Sequence, residues 1–140
     1  MRIGAAAVLF AFAMADAPSA QTARTIEKGG QSQIQDPKQV VARNATEWQA
    51  LWRQHAPDRP LPSVDFSKES VVAVFMGSRN TAGYSVGIIS TTEGNGVLIV
   101  RYKDTAPPRD AIAAQVLTAP YDIVAIPKTT ATRVVFEKAE

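Results

Sequence analysis

This 140-residue chain contains no cysteine and only one histidine, His55. Without thiols it cannot form disulfides, bind a metal through thiolates or use a cysteine nucleophile. A lipid-modified cysteine is excluded for the same reason, so we expect no lipid anchor. A metal site that needs two histidines is excluded as well.

The single histidine restricts enzyme mechanisms too. A serine triad would need His55 together with Asp58 or Asp65 and one of four serines, Ser63, Ser67, Ser78 or Ser85. None of these serines lies in the Gly-x-Ser-x-Gly pattern of hydrolases. A histidine at a helix end is more simply a capping cation or a half-buried packing residue. We therefore predict no catalytic residue, although a pair of carboxylates distant in sequence stays open.

The sequence also lacks clusters of like-charged residues. The chain has 15 basic and 13 acidic side chains, a net charge of +2, without runs. Nucleic-acid surfaces normally show clustered Lys and Arg, so we predict no nucleic-acid partner. Arg101 and Lys103 alternate onto one face of a predicted strand, where a solvated outer face is expected. The acids Asp58, Asp65 and Glu69 lack the spacing of a calcium loop, so we predict no metal and no cofactor.

The amino terminus has the pattern of a secretory signal. Met1 and Arg2 precede an apolar run over residues 3–15, which is shorter than the roughly 20 residues that span a bilayer. Small residues allow cleavage after Ala15 or after Ala20. We therefore predict a signal peptide over residues 1–20, a periplasmic or secreted protein without a membrane span, and one domain over residues 21–140.

One amphipathic helix is predicted after residue 44. Asn44 and Glu47 resemble a capping box, and Pro57 ends the helix. Four residues follow the cap at helical spacing and share one side: Trp48, Leu51, Trp52 and His55. The two tryptophans could form a binding platform, but an apolar stripe on a lone helix is more often packed on a sheet.

The rest of the chain has the patterns of strands. Residues 71–76 are wholly apolar, as in a central strand covered on both sides. Residues 93–96, Glu-Gly-Asn-Gly, predict a tight hairpin between a strand through residues 84–88 and a strand over 97–103. Further strands are predicted at 39–42, 121–126 and 132–137. The predicted fold is α+β, mainly β: a curved antiparallel sheet or small sandwich with one short amphipathic helix. The predicted core comprises Val74, Phe75, Ile88, Ile99, Val124 and Phe136.

A polar loop bounded by two glycines, residues 77–83, carries the sharpest binding hypothesis. Its polar side chains could converge on a peptide or an anion, and the predicted binding residues are Ser78, Arg79, Asn80, Thr81, Gly83 and Tyr84. It is not a phosphate-binding loop of known spacing, because it has no lysine and leads into a strand. The alternative is a plain connector whose glycines adopt positive φ.

Three motifs resemble the PrcB carboxy-terminal domain family: Asp65-Phe66, VVAVFMGSRNTAGYSV over residues 71–86, and TAPYDIVAIPK over residues 118–128. The tryptophans of the helix are similar to the amino-terminal part of such domains. The resemblance implies an exported, non-catalytic partner of a secreted protease, and it supplies no catalytic residue. A lipoprotein form would need a cysteine that this chain lacks. We therefore predict an exported, non-enzymatic protein-binding module, an accessory or stabilising subunit of a secreted protease. The predicted partner is another exported protein, in particular a protease. The alternatives are a periplasmic protease inhibitor, a small hydrolase or a ligand-binding protein.

Overall fold

The computed structural model describes residues 19–140 as eight strands and one helix. Of the predicted signal peptide, residues 1–20, the first 18 residues lie outside the described range. The elements are β1 Ser19–Ala20, β2 Arg24–Gly29, β3 Lys38–Ala42, α1 Ala45–His55, β4 Glu69–Phe75, β5 Ser85–Gly94, β6 Val97–Thr105, β7 Tyr121–Pro127 and β8 Arg133–Lys138.

The strands form two four-stranded sheets that pack face to face. One sheet has the order β2-β7-β4-β3 and the other β1-β5-β6-β8. Every pairing is antiparallel except that of β6 with β8, which is parallel. The prediction of an α+β, mainly β fold is confirmed, in the form of a small sandwich with one short helix.

Strand β4 occupies the middle of three layers. Val71, Ala73 and Phe75 pack with the tryptophans of α1, whereas Val72 and Val74 point to the opposite side, toward β5 and β6. Because successive side chains of a strand point to opposite faces, a strand buried on both sides must be apolar throughout. Its residues from Ser70 to Phe75 are all buried, which explains the unbroken apolar run in the sequence.

The helix begins and ends where the sequence predicts. The Asn44 side chain accepts a hydrogen bond from the Glu47 amide at 2.9 Å, and Glu47 accepts one from the Arg43 amide at 3.2 Å. Trp48, Leu51, Trp52 and His55 are buried, so the apolar stripe packs on the sheet, as the core interpretation predicts. The indole N–H groups of the two tryptophans donate to the carbonyls of Pro62 and Arg59.

The predicted hairpin joins β5 to β6. Asn95 and Gly96 have φ of 53° and 75°, and Gly94 pairs with Val97 across the turn. Positive φ at both central residues is typical of the type I′ turn, whose twist matches that of the flanking strands.

A buried carboxylate links the two sheets. The register of β5 shifts between Ile88 and Ser90, and the Ile88 N–H donates to Asp122 Oδ2 of β7 at 2.8 Å. Asp122 is only 4% exposed, and burial raises the pKa of its carboxyl group. The bulge thus turns one amide of β5 toward the facing sheet, where a carboxylate accepts it.

Most of the predicted core is confirmed, with one error. Val74, Phe75 and Val124 are buried, and Ile88 and Phe136 are half-buried against the core. Ile99 was wrongly predicted: it lies between Leu98 and Val100, which face the core, so its own side chain points to the outer face of its sheet. Three further features were not predicted from the sequence, namely strand β1, strand β2 and the parallel pairing of β8.

Replacing Phe75 tests the three-layer core. Phe75→Ala should lower the free energy of unfolding by about 3–5 kcal/mol, because the side chain is fully buried and its loss leaves a cavity between helix and sheet. Ile99→Ala is the control and should cost less than half as much, since Ile99 keeps part of its surface in water. Urea unfolding followed by tryptophan fluorescence measures both; equal losses would contradict this packing.

Candidate functional site

Two loops leave the central strands at the same end of the sandwich. Phe75 at the end of β4 pairs with Tyr121 at the start of β7, and the Met76 N–H donates to the Pro120 carbonyl at 2.9 Å. The loop after β4, residues 77–84, and the loop before β7, residues 106–118, therefore start side by side. We call them the Arg79 loop and the apolar loop.

Backbone hydrogen bonds join the two loops. The Arg79 N–H donates to the Thr118 carbonyl at 2.7 Å, and the Thr118 N–H donates back to the Arg79 carbonyl at 2.9 Å. The Ala82 N–H donates to the Ala114 carbonyl at 2.9 Å, and the Thr118 hydroxyl donates to the Thr81 carbonyl at 3.0 Å. The apolar loop is thus fixed to its neighbour although it contains no regular secondary structure.

A glycine permits the close approach of the loops. Gly83 has φ of +95°, and a Cβ placed on it would lie 2.7 Å from Cβ of Pro107. Any other residue would therefore be strained in its backbone and would push Pro107 away. The requirement for glycine at this position comes from its positive φ and from the contact between the loops.

The apolar loop exposes large hydrophobic side chains. Ile112 is fully exposed, and Leu117 and Val116 are 73% and 48% exposed. Ile112 also lines an open groove of about 420 Å³, whose other lining residues are almost all alanine, glycine and proline, including Ala82 and Pro107. Contiguous exposed apolar surface of this kind is typical of interaction sites.

Arg79 lines a smaller and more enclosed cleft of about 150 Å³. Its guanidinium lies over the Tyr84 ring at 5.5 Å. In the cleft it is accompanied by Lys138 of β8, by Asp104 and Tyr102 of β6, and by an apolar wall from the end of β4. Lys138 Nζ is 2.8 Å from Asp104 Oδ2.

The six predicted binding residues fall into three groups. Arg79 and Tyr84 are brought together by stacking. Thr81 and Gly83 instead hold the apolar loop. Ser78 and Asn80 are exposed, and the Ser78 amide donates to the Gln35 carbonyl at 2.8 Å. That these residues bind a partner stays a prediction.

His55 is the centre of a separate polar network. Its Nε2 lies 3.0 Å from Glu27 Oε1 and its Nδ1 lies 2.7 Å from the Ser32 hydroxyl. Glu27 also accepts two hydrogen bonds of 2.6 Å from the Arg59 guanidinium and a short one from the Tyr121 hydroxyl. One carboxylate therefore connects β2, the helix end, the segment after the helix and β7.

The geometry of this network defines the histidine tautomer. Because Glu27 can only accept, Nε2 carries the proton, and Nδ1 then accepts from Ser32. Ser32 Oγ in turn accepts from the Ile34 N–H at 3.0 Å. Every polar atom of the ring is thus satisfied in the neutral form.

The same environment shifts the ionisation of its members. The guanidinium of Arg59, aided by the Tyr121 and His55 hydrogen bonds, lowers the pKa of Glu27 to about 2 despite its partial burial. Burial lowers the pKa of His55, against the opposing effect of Glu27. Burial and the adjacent Glu27 carboxylate raise the pKa of Tyr121 to about 12.

Serine, histidine and carboxylate are also the groups of a hydrolase triad, but the predicted members are not the ones assembled. Ser32 and Glu27 contact His55, in place of the serines and aspartates that the sequence suggested. The His55 side chain has no exposed surface, and Ser32 is 9% exposed. A nucleophile must be reached by its substrate, and these side chains are closed to solvent or nearly so.

Within residues 19–140, no group of three or more metal-binding side chains lies close enough to hold an ion. Across the same residues, no helix is long and apolar enough to cross a membrane.

The sequence profile of one family matches the part of the chain that carries these loops. Residues 70–127 match the family described as PrcB C-terminal, which confirms the predicted resemblance from β4 to the end of β7. The matched range leaves out the helix and Asp65-Phe66, where the resemblance stays a prediction. No curated protein and no solved structure matched the chain.

The pH dependence of stability tests the His55 network. A group whose pKa is lowered by folding stabilises the protein fully above its unfolded value and less as pH falls. We therefore expect the free energy of unfolding to decrease below about pH 6.5 through His55 and more steeply below about pH 4.5 through Glu27. Tyr121, whose pKa is raised, adds a loss above about pH 10.

Glu27→Gln should remove the steep acid limb and cost about 1–3 kcal/mol at pH 7, because hydrogen bonds to a charged group are lost. Glu137→Gln is the control, since Glu137 is exposed and lies 3.9 Å from Arg101. Urea titrations at several pH values measure both variants. An unchanged acid limb in Glu27→Gln would contradict the assignment.

Proposed function

We propose that this chain, whose residues 70–127 match the PrcB C-terminal family, is an exported, non-enzymatic module that binds a secreted protease as an accessory or stabilising subunit. The signal-like amino terminus supports export, and the family supports association with a protease complex. The apolar loop and the Arg79 loop are the contact surface in this proposal.

The observation that carries the proposal is the exposure of Ile112, Val116 and Leu117 on a loop held in place by hydrogen bonds. Exposure of these apolar side chains to water is unfavourable. A partner that covers them stabilises the complex by roughly 25 cal/mol per Å² of apolar surface removed from water. The loops are attached to the most buried strands, so they form a rigid platform for recognition.

We propose that the protein is not an enzyme because of where its single histidine, His55, lies. Both ring nitrogens of His55 already have hydrogen-bond partners, and its side chain is closed to solvent. A histidine so placed cannot exchange protons with a bound substrate, because general acid–base catalysis needs direct contact or a single bridging water.

Inhibition of the protease is the second candidate, and the form of the apolar loop favours it. Residues 112–118 contain no helix or strand apart from the Thr118 bridge, and they present Val116 and Leu117 beside backbone anchored to Arg79. A loop of this kind can lie in the cleft of a protease as a peptide does, by main-chain pairing and side-chain pockets.

Crosslinking from the loop tests the proposed surface. A photoreactive residue at position 112 should crosslink to a protease in periplasmic extract, identified by mass spectrometry, and the same probe at position 61 should not. Leu61 is a matched control because it is also an exposed hydrophobic residue, at 41% exposure, and lies outside both loops. Equal crosslinking from the two positions, or products without a protease, would contradict the proposal.

Protease assays separate the two candidates. The purified protein, added in equal amount to the crosslinked protease, should extend the lifetime of protease activity at elevated temperature without lowering the initial rate. A fall in the initial rate would instead identify an inhibitor. Ile112→Asp should weaken either effect roughly tenfold or more through loss of apolar burial, with an unchanged melting temperature, whereas Leu61→Asp should behave as wild type.

A further inference from the structure

We infer that the cleft between the Arg79 loop and strands β3, β6 and β8 is a binding site for a carboxylate group, supplied by the partner at its carboxyl terminus or on an acidic side chain. The inference deepens the proposed function and rests on it for the source of the carboxylate. The cleft itself is defined by residues distant in sequence: Gln39, Arg79, Tyr102, Asp104 and Lys138.

The charges of the cleft do not balance. It is lined by two cations, Arg79 and Lys138, and one acid, Asp104. The hydrogen bond to Asp104 raises the pKa of Lys138, whereas the positive charge of Arg79 acts to lower it. The two cations therefore repel each other across the cleft, and a single bound anion relieves that repulsion.

Hydrogen-bond donors in the cleft outnumber the acceptors available to them. The Arg79 guanidinium makes one long hydrogen bond, of 3.4 Å, to the Ser78 carbonyl, and its buried Nε has no hydrogen-bond partner. The Tyr102 hydroxyl accepts from the Gln39 side-chain amide at 2.8 Å, so its own proton is free to be donated. A carboxylate in the cleft accepts from the terminal N–H groups of the Arg79 guanidinium, which make only that one long hydrogen bond, and from the Tyr102 hydroxyl.

The shape of the cleft favours a carboxylate over a bulkier anion. Its volume is about 150 Å³, and one wall consists of Pro37, Val74, Phe75 and Met76. Apolar walls exclude water and strengthen an ion pair with a planar, weakly hydrated guanidinium. The space beside the charged groups suits a small aliphatic side chain on the molecule that carries the carboxylate.

The groove of the apolar loop lies close to this cleft. Arg79 lines the cleft, and Ala82 and Gly83 of the same loop line the groove. The three residues from Arg79 to Ala82 span at most roughly 10 Å even when fully extended, so these parts of the cleft and the groove are neighbours. An extended segment of the partner can therefore cover the apolar loop and place its carboxylate against Arg79.

Titration with small carboxylates tests the site. N-acetyl-leucine added to the purified exported protein should shift the NMR signal of the Arg79 Nε–H in a saturable way, with a dissociation constant in the millimolar range. N-acetylleucinamide, which has no carboxylate, should leave the signal unchanged. No saturation by N-acetyl-leucine, or equal shifts with its amide, would overturn the inference.

Variants separate the cleft from general attraction of anions. Arg79→Gln and Lys138→Gln should each weaken N-acetyl-leucine binding roughly tenfold, because each removes a charge-assisted hydrogen bond; backbone amide shifts report binding where the Arg79 signal is missing. Arg101→Gln is the matched control, since Arg101 is half exposed on the same strand as Tyr102. Equal binding by wild type and both cleft variants, or tighter binding of inorganic phosphate, would overturn the site.

One further probe distinguishes the two sources of the carboxylate. N-acetylglutamic acid α-amide carries only a side-chain carboxylate, and tighter binding of N-acetyl-leucine than of this compound identifies a carboxyl terminus. The reverse order identifies an acidic side chain. If the protein crosslinks to a protease from position 112 but does not bind N-acetyl-leucine, the carboxylate site is contradicted and the proposed function is not. If it binds N-acetyl-leucine but does not crosslink to a protease, the proposed function is contradicted and the carboxylate site is not.

Discussion

The burial of strand β4 on both faces is the constraint on which the other parts of this structure depend. The helix covers one face and the second sheet covers the other. The strand therefore has to be apolar at every position, and the polar groups that remain nearby need partners inside the protein. His55 meets this requirement fully through Ser32 and Glu27. Asp122 meets it at Oδ2 through the Ile88 amide, whereas its buried Oδ1 has no hydrogen-bond partner among the described residues.

The same constraint places the loops. Since β4 and β7 pair along their whole length, the chain leaves β4 and enters β7 at one end of the sandwich, and the Arg79 loop and the apolar loop meet there. At another edge, Glu27 holds strand β2 against the end of the helix through His55 and Arg59. The polar network therefore fixes an edge strand of the sheet.

Local patterns predicted those parts of the fold that local physics determines. The capping box at Asn44, the Asn95-Gly96 turn and the apolar run of β4 each have one favourable structure. Strand β2 was missed because its Glu27 points into the His55 network and no apolar alternation remains. Ile99 was placed in the core because positions 97–100 are all apolar, and periodicity does not say which face of such a run is inside.

The candidate site was predictable only in part for a similar reason. Two glycines around a polar segment indicated the Arg79 loop. The apolar loop contains prolines and alanines with no helical or strand periodicity. From the sequence alone, Ile112 and Leu117 would be assigned to the core, whereas in the structure they are exposed. The cleft unites Arg79 with Lys138 and Asp104, and a contact between positions so far apart in the chain leaves no sign in the sequence.

The hydrogen bonds between Arg79 and Thr118 affect the rates at which a partner would associate and dissociate. A loop already ordered before the encounter loses little conformational entropy on contact, and a net charge of only +2 gives weak long-range attraction. Association would then proceed at the unsteered rate of roughly 10⁵–10⁶ M⁻¹ s⁻¹ and depend little on salt. Residence time on the partner, set by dissociation, would account for nearly all differences in affinity among variants of this surface.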